Sequence, residues 1–262
     1  MKDLYNTLSS FRSISLGDMD SVKLMNRTDT KYVFSSSLIL EILNELSDKY
    51  RILEIEGKKT SFYNTMYFDT EQLKFYTQHH NGKLNRHKVR MREYVDSKIC
   101  FLEIKFKNNK GRTIKNRIRK KKISANLSDE SIAFIQKYTN ISSSELSPKL
   151  WNAFNRITLV QKEAKERITL DLDLGFSNEN AKADVPELII AEVKQEKYNV
   201  KSDFIQAMRK CSIKPMRMSK YCIGSVLLNG NLKSNQFQED FKYNRFKEKT
   251  LTINKINYGI RA

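Results

Sequence analysis

The sequence RHKVRMREY fills residues 86–94, and the sequence CFLEIKFK fills residues 100–107. In both segments polar and apolar residues alternate, and this alternation is typical of β-strands that pack one face and leave the other polar. The alternate positions 86, 88, 90 and 92 are all Arg or Lys. Residues 108–111 read NNKG, a turn sequence that predicts a hairpin into a third strand at about 112–120. These segments predict an antiparallel sheet with one strongly basic face.

The charge on this sheet is unusual because like charges on adjacent strands repel each other. Residues 83–122 contain 16 Lys or Arg and only three acids. Polar residues also share one face in the segments at about 166–174 and 187–195. A barrel with its apolar side covered by helices and its charged side inward explains all of these segments together. We therefore predict an α+β fold with a closed antiparallel β-barrel of about eight strands that forms a charged tunnel.

A charged interior also predicts a ligand. Buried charge without a partner is costly, so such a barrel is expected to bind a linear chain of phosphates. The alternative is that each polar face is solvated. Solvation explains the polar face of any single strand, but it explains less well why the polar faces of all these strands are so uniformly charged.

Composition limits the class of protein. The chain has 262 residues, a net charge of +18 and 39% hydrophobic residues, which is enough for a sizeable core. No apolar run approaches the roughly 20 residues of a membrane-spanning helix, and we expect no secretory signal at the N-terminus. The three cysteines lack the spacing of a metal site and predict reduced thiols in the cytoplasm. The positive charge leaves nucleic acid, phosphate-rich molecules and an anionic membrane surface open as partners.

The remaining pattern predicts one main domain with short extensions. Further strands are expected near residues 28–34, 52–57, 62–69, 153–163, 166–174 and 187–195. Helices are expected after a cap at Ser36 or Ser37 and near residues 129–138, 202–211 and 219–229. The predicted organisation is a leading segment with one helix at 1–26, the barrel domain at 27–229, and a C-terminal helix or tail at 230–262.

Several motifs resemble those of one known family. They are RTDTKY at 27–32, YFDT at 67–70, RHKVRMR at 86–92, FLEIK at 101–105, NR at 155–156 with Thr158, RITLD at 167–171, EVK at 192–194 and SKY at 219–221. Together they resemble the polyphosphate polymerase domain of the vacuolar transporter chaperone (VTC) family. That family belongs to the CYTH, or triphosphate tunnel metalloenzyme, superfamily. The resemblance spans about residues 20 to 229 in the order of the family's motifs.

The resemblance implies a tunnel enzyme that transfers the terminal phosphate of a nucleoside triphosphate, expected to be ATP, to a growing inorganic polyphosphate chain. It also implies a divalent metal, preferably Mn²⁺, with Mg²⁺ as the alternative. The Glu-x-Glu-x-Lys start of most CYTH phosphatases is replaced here by residues 27–31, which favours the polymerase branch. We expect neither the phosphate-sensing domain nor the transmembrane segment of eukaryotic VTC subunits. A membrane partner protein and the oligomeric state stay open.

Phosphoryl transfer depends on positioning and charge stabilisation, so cations are the expected machinery. The predicted catalytic residues are Lys31, Arg90, Arg92, Lys105, Arg156 and Lys220. The predicted substrate-binding residues are Arg27, Arg86, Lys88, Glu103, Lys107, Lys115, Arg117, Arg167 and Lys194. Glu192 is the predicted metal ligand because Mn²⁺ and Mg²⁺ prefer hard carboxylates, with Asp171 and Asp173 as second choices. The alternative for Glu192 is an ion pair with Lys194.

Two other functions remain open. A relative that hydrolyses triphosphate, or that binds polyphosphate without extending it, would have nearly the same residues. A nucleic-acid-binding module fits the sequence less well. Such modules stack bases on aromatic residues that lie among the cations, whereas Tyr94 and Phe106 are expected to be isolated aromatics. We also predict that Arg90→Ala costs the ligand-free protein little, because it relieves repulsion among neighbouring cations.

Overall fold

The computed structural model describes residues 2–19, 27–234 and 252–255. The helices are α1 Lys2–Ser10, α2 Ile39–Leu46, α3 Lys74–His80, α4 Asp129–Tyr138, α5 Asp203–Lys210 and α6 Lys220–Leu228. The strands are β1 Arg12–Ile14, β2 Thr28–Ser35, β3 Tyr50–Leu53, β4 Ser61–Asp69, β5 Arg86–Tyr94, β6 Ile99–Lys107, β7 Thr113–Lys120, β8 Ser147–Gln161, β9 Glu166–Ser177, β10 Ala181–Val185, β11 Leu188–Gln195 and β12 Thr252–Lys255. Most of the predicted C-terminal segment at 230–262 lies outside the described residues.

The chain divides into two compact units. The first takes in the described parts of Met1–Phe62, Phe154–Leu174 and Val185–Arg217. The second takes in the described parts of Tyr63–Ala153, Gly175–Asp184 and Met218–Ala262. Strands β8 and β9 therefore contribute residues to both units.

In the first unit, β11 pairs antiparallel with both β2 and β9. The apolar residues of these strands, including Ile168, Leu170 and Val193, are fully buried in one core with residues of α2 and α5. Because side chains alternate between the faces of a strand, the charged residues of β2, β9 and β11 lie together on the opposite side. The exception is Glu166 at the start of β9, which is buried on the core side and accepts from Tyr50 and Ser202.

The leading segment forms part of the first unit. Leu8 of α1 and Phe11 belong to its core. The Nζ atom of Lys59 donates to the carbonyl oxygens of Leu8 and Phe11 at 3.1 Å each, which satisfies backbone groups at the end of α1. Strand β1 then pairs parallel with β3. The segment thus contains a strand in addition to the expected helix.

In the second unit, β4, β5, β6 and β7 are consecutive antiparallel neighbours. Their apolar side packs on Ile135 of α4 through residues such as Met91 and Leu102. The turn between β6 and β7 forms as predicted: the side-chain oxygen of Asn108 accepts from the backbone N–H groups of Lys110 and Arg112. This pairing fixes the face on which each cation of β5, β6 and β7 lies.

The predicted closed barrel is wrong. Within the described residues, the hydrogen-bonded order of strands is β12-β10-β9-β8-β4-β5-β6-β7, and this path ends at β7 without closing. The sheet also contains more strands than the eight expected. Charged residues protect an edge strand against further pairing, and β7 carries Lys115, Arg117 and Arg119 on one side. The antiparallel, sheet-dominated α+β class is confirmed, whereas closure by hydrogen bonds is not.

Candidate functional site

The second unit carries most of the predicted site residues on one side of its sheet. We call the polar side of β4, β5, β6 and β7 the basic face. It carries Tyr63, Thr65, Tyr67, Arg86, Lys88, Arg90, Arg92, Tyr94, Ile99, Phe101, Glu103, Lys105, Lys107, Lys115, Arg117 and Arg119. Of these residues only Glu103 is acidic.

The strand register places like charges directly opposite each other on the basic face. Lys105 of β6 is the cross-strand partner of both Lys88 and Lys115. Arg86 is the partner of Lys107 in the adjacent row. Directly opposed like charges destabilise a sheet. A polyanion bound here would reduce this repulsion, as Glu103 already does for Lys115.

Glu103 is the centre of an ion-pair cluster on this face. Its side chain is fully buried, and one of its oxygens accepts from Nε and Nη2 of Arg90 at 2.8 and 2.6 Å. Its other oxygen pairs with the ammonium group of Lys115. Burial alone would raise the pKa of Glu103, but Arg90, Lys115 and Arg92 together hold that pKa well below its ordinary value. Glu103 is therefore ionised, and it orients Arg90.

This cluster changes the prediction for Arg90. The sequence suggested that Arg90 stands among cations that repel it. The structure instead gives Arg90 a buried two-nitrogen contact with Glu103, and this contact more than offsets burial, so that its pKa is raised. Removing one partner of a buried ion pair leaves an uncompensated charge and is strongly destabilising. The prediction that Arg90→Ala costs little therefore lacks a physical basis.

Residues that the sequence analysis did not select support the arginines. Nε of Arg92 donates to the hydroxyl oxygen of Thr65 at 3.1 Å, and Tyr67 hydrogen-bonds to Arg90. Both supporting residues lie on β4, and each is the cross-strand partner of the arginine that it contacts. The alternation of β4 places them on the basic face, so the sequence pattern of that strand could have identified them.

Asp69 anchors the two helices at one end of this unit. Its fully buried carboxylate accepts from the backbone N–H groups of Phe75 and Tyr76 in α3 at 2.8 and 2.9 Å. It also accepts from the hydroxyl of Tyr221 in α6 at 2.5 Å. Burial raises the pKa of Asp69, although these donors act in the opposite direction. The YFDT motif thus has a structural role that places the start of α6.

The start of α6 lies beside a cation of the basic face. Ser219 caps the helix by accepting from the N–H of Cys222, and it also accepts from the ammonium of Lys88 at 2.9 Å. Lys220 is the first residue of α6. Backbone N–H groups at a helix N-terminus favour anions, so Lys220 and the N-terminus of α6 would both attract a negatively charged group.

The first unit carries the other predicted site residues. We call the polar side of β2, β9 and β11, together with Arg156 of β8, the mixed face. It carries Asp29, Lys31, Arg156, Arg167, Thr169, Asp171, Glu192 and Lys194. The register of β11 with β2 opposes unlike charges, since Glu192 is the partner of Lys31 and Lys194 is the partner of Asp29. The register of β11 with β9 opposes two cations, Lys194 and Arg167.

Three carboxylates of the mixed face are paired with cations. Both oxygens of Asp171 accept from Arg156, at 2.5 and 2.8 Å. Glu192 pairs with the ammonium of Lys194. Asp29 accepts from Nε of Arg27 at 2.9 Å.

Two cations of the mixed face, Lys194 and Arg167, lie where burial disfavours their charge. Burial lowers the pKa of Lys194, against the effect of Glu192. Burial, together with Arg27 and Arg156, also lowers the pKa of Arg167. The Nε atom of Arg167 is buried without a hydrogen-bond partner among the described residues. These are the properties of a surface that binds an anion.

The donor set of the mixed face fits a divalent ion in only one way. Among the described residues no group of three or more His, Cys, Asp or Glu side chains stands ready to hold a metal. Asp171 is fully engaged by Arg156, and Asp173 is exposed and accepts from Asn155 at 2.9 Å. Glu192 is partly exposed, with 23% of its side chain accessible. One carboxylate together with substrate phosphates is a usual environment for Mg²⁺, and Glu192 fits that arrangement.

One inference from the sequence about aromatic residues is corrected. Tyr94 is not isolated, because its ring lies 4.9 Å from that of Tyr63 and 6.1 Å from that of Phe101. Phe106 stacks on His87 at 4.7 Å. The contacts join different strands, so they depend on a register that the sequence of one strand does not contain.

Comparisons with known proteins agree with the motifs. A family model described as the VTC domain matches residues 26–229. A search of curated proteins finds no match. Among solved structures, a putative adenylate cyclase from Bacillus halodurans is 14% identical with a TM-score of 0.46, covering 74% of this chain and 96% of that one. The putative adenylyl cyclase HpAC1 from Hippeastrum, described as having a dominant triphosphatase activity, is 15% identical with a TM-score of 0.48, covering 80% of this chain and 98% of that one.

Proposed function

Because the chain belongs to the VTC domain family, we propose that it is a polyphosphate polymerase that transfers the terminal phosphate of ATP to inorganic polyphosphate. The observation that carries the proposal is the direct opposition of like charges on the basic face, at Lys88–Lys105 and Lys105–Lys115. A ligand with one negative charge per repeating unit compensates such rows at successive positions.

The proposed reaction needs positioning and charge stabilisation rather than a covalent enzyme intermediate. A terminal oxygen of the polyphosphate chain attacks the terminal phosphorus of ATP. The new phosphorus–oxygen bond forms as the bond from that phosphorus to its bridging oxygen breaks, and ADP leaves with the electron pair. The acceptor oxygen is already ionised, so the protein needs no general base. Arginines suit the stabilisation of charge on the transferred group because their planar forks bind two oxygens at once.

Each face supplies residues to this proposal. On the basic face we assign Arg90, Arg92 and Lys105 to the transferred and neighbouring phosphates, with Lys220 at the start of α6. On the mixed face, considered by itself, we assign Lys31 and Arg156 to phosphate binding. The substrate-binding residues proposed around them are Arg27, Arg86, Lys88, Glu103, Lys107, Lys115, Arg117, Arg167 and Lys194.

Glu192 is the proposed metal-binding residue, with Mn²⁺ or Mg²⁺ as the ion. When bound, the ion would neutralise phosphate charge and orient phosphate oxygens. Lys194 pairs with Glu192 in the ligand-free protein, and burial disfavours its charge, so the pair is suited to rearrange when ligand arrives.

We propose the cytoplasm as the location, because it supplies ATP and keeps cysteines reduced. All three cysteines are free thiols, and Cys100 and Cys222 are buried. Within the described ranges, no helix has the length and apolar character that crossing a bilayer requires.

The test is incubation of the purified protein with ATP and Mn²⁺, followed by gel staining for polyphosphate. The proposal expects acid-stable polymer that appears only with a divalent metal. Release of orthophosphate alone would assign the protein to triphosphate hydrolysis, in which water replaces the phosphate acceptor. Salt-sensitive binding of DNA without nucleotide turnover would instead support the nucleic-acid module.

A further inference from the structure

The basic face changes in character along its strands. Cross-strand neighbours form rows, and the row of Tyr63, Tyr94 and Ile99 contains no charge. The row of Lys88, Lys105 and Lys115 contains three positive charges, of which Lys115 pairs with Glu103 of the adjacent row. The rows between them combine aromatic, basic and acidic residues. One end of the face is thus aromatic and neutral, and the other end is purely cationic.

The aromatic end is a connected cluster. The rings of Tyr63 and Tyr94 lie 4.9 Å apart with a tilt of 56°, and the ring of Phe101 meets that of Tyr94 edge-on at 6.1 Å. The guanidinium carbon of Arg117 lies 4.3 Å from the centre of the Phe101 ring, and that of Arg92 lies 5.8 Å from the centre of the Tyr63 ring. Phe101 therefore already carries a planar cation on its face. We call the three rings of Tyr63, Tyr94 and Phe101 the aromatic end.

The position of the aromatic end argues against a purely structural role. The apolar core of this unit lies on the opposite side of the same strands, where Met91 and Leu102 are fully buried. Tyr94 and Phe101 point to the side that carries the cations, and both are only half-buried. Aromatic rings and arginine planes on such a surface stack on nucleobases, and this stacking is worth about 1–3 kcal/mol per base.

We infer that the aromatic end binds the base of the nucleoside triphosphate, so that its phosphates extend along the face toward the rows of Lys105 and Lys107. This inference rests on the proposed function and adds an orientation to it. The two ends of the face differ as the two ends of a nucleotide differ: one is planar and weakly charged, and the other is polyanionic. From Tyr94 to Arg90 and from Arg90 to Arg86 the strand advances by four residues, or roughly 13 Å each time. The base and the growing chain therefore occupy different parts of the face.

The experiment compares ligands with and without a base on the wild-type protein. Binding of ATP, ribose 5-triphosphate and tripolyphosphate is measured by isothermal titration at fixed salt. The inference expects ATP to bind about 5- to 150-fold more tightly than ribose 5-triphosphate, which is the equivalent of about 1–3 kcal/mol of stacking. Equal affinities for ATP and ribose 5-triphosphate would overturn it.

Variants then locate the base. Tyr94→Leu and Phe101→Leu keep an apolar side chain of similar volume but remove the ring. Each is expected to weaken ATP binding by at least about fivefold and to change tripolyphosphate binding by less than about twofold. The matched control is Phe106→Leu, because Phe106 stacks on His87 on the opposite side of the same sheet. Its ATP affinity is expected to match the wild type.

The outcomes separate this inference from the proposed function. If tripolyphosphate binds and both ring variants keep wild-type ATP affinity, the base-binding inference is wrong and phosphate binding stands. If the wild type binds neither ATP nor tripolyphosphate, the proposed function fails and the inference fails with it. If one ring variant does not fold, the other variant and the wild-type ligand series still decide the question.

Discussion

Replacing Glu103 with Gln tests whether the basic face is held together by the one acid among its cross-strand pairs. The substitution preserves the shape of the side chain but removes the charge that pairs with Arg90 and Lys115. Glu103 is fully buried, and about 10% of the Arg90 side chain is exposed, so water cannot replace the lost charge efficiently. The remaining cations would then repel each other across β5, β6 and β7 without an acid between them.

The magnitude follows from the burial of the pair. Removing one partner of a buried ion pair costs about 3–5 kcal/mol. For a chain of this size, 1 kcal/mol corresponds to about 2–4 °C in melting temperature, so the melting temperature is expected to fall by roughly 6–20 °C. Saturating tripolyphosphate supplies negative charge to the same cations. The rise in melting temperature on adding it is therefore expected to be larger in the variant than in the wild type.

Thermal melts followed by circular dichroism, with and without tripolyphosphate, measure both effects. The matched control is Glu130→Gln: Glu130 pairs with Lys120, but 67% of its side chain is exposed. Exposed pairs contribute about 0–1 kcal/mol, so this control should melt close to the wild type. The reasoning is refuted if Glu103→Gln also melts within about 2 °C of the wild type, which corresponds to less than about 1 kcal/mol.

Three further predictions use other parts of the structure. Burial lowers the pKa of Lys115 to about 8, so the affinity for tripolyphosphate should weaken as pH rises through that value. The affinity should depend less on pH in Lys115→Arg, because arginine keeps its charge over this range. Glu192→Ala should abolish metal-dependent turnover. Its affinity for tripolyphosphate, measured by titration, should stay within about threefold of the wild type, or about 0.7 kcal/mol. Unchanged dependence of turnover on Mn²⁺ would show that Glu192 is not part of the site. Gly224→Ala should lower the melting temperature, because a Cβ there would meet Phe176 and lie 2.9 Å from Leu150. Overpacking of this kind costs typically about 1–3 kcal/mol. The control Gly230→Ala should leave the melting temperature unchanged, because nothing lies within 4 Å of a Cβ at that position.

Much of the fold could be predicted from local patterns. Strands β5, β6 and β7 and helix α4 lie within one or two residues of the predicted bounds, because alternation and capping are properties of each segment alone. Strand β8 begins at Ser147, earlier than expected, and the sequence analysis missed α3 and β10. Helix α3 is only seven residues long, and its first N–H groups are held by Asp69. A helix of this length is too short to show a clear helical period, and Asp69 precedes it by more than the one residue at which a capping side chain is usually sought.

The faces of the candidate residues could also be predicted, but their partners could not. Alternation alone placed Arg90 and Glu103 on one face, yet their contact requires the register of β5 with β6. The same limit explains the incorrect barrel, since closure depends on which strands lie at the edges of the sheet. It also explains why Tyr94 read as isolated: its neighbours Tyr63 and Phe101 lie on two other strands.

The charge of the basic face raises a question of selectivity. Repulsion among Lys88, Lys105 and Lys115 is relieved by any polyanion of sufficient length, so charge alone gives affinity without discrimination. Specificity is a difference between affinities, and it requires a feature that only one ligand satisfies. On this face the aromatic end is such a feature, because polyphosphate has no group that stacks on Tyr94 or Phe101. A polymerase must bind both a nucleotide and a polyphosphate chain, and a face with one aromatic end and one cationic end can hold each in its own place.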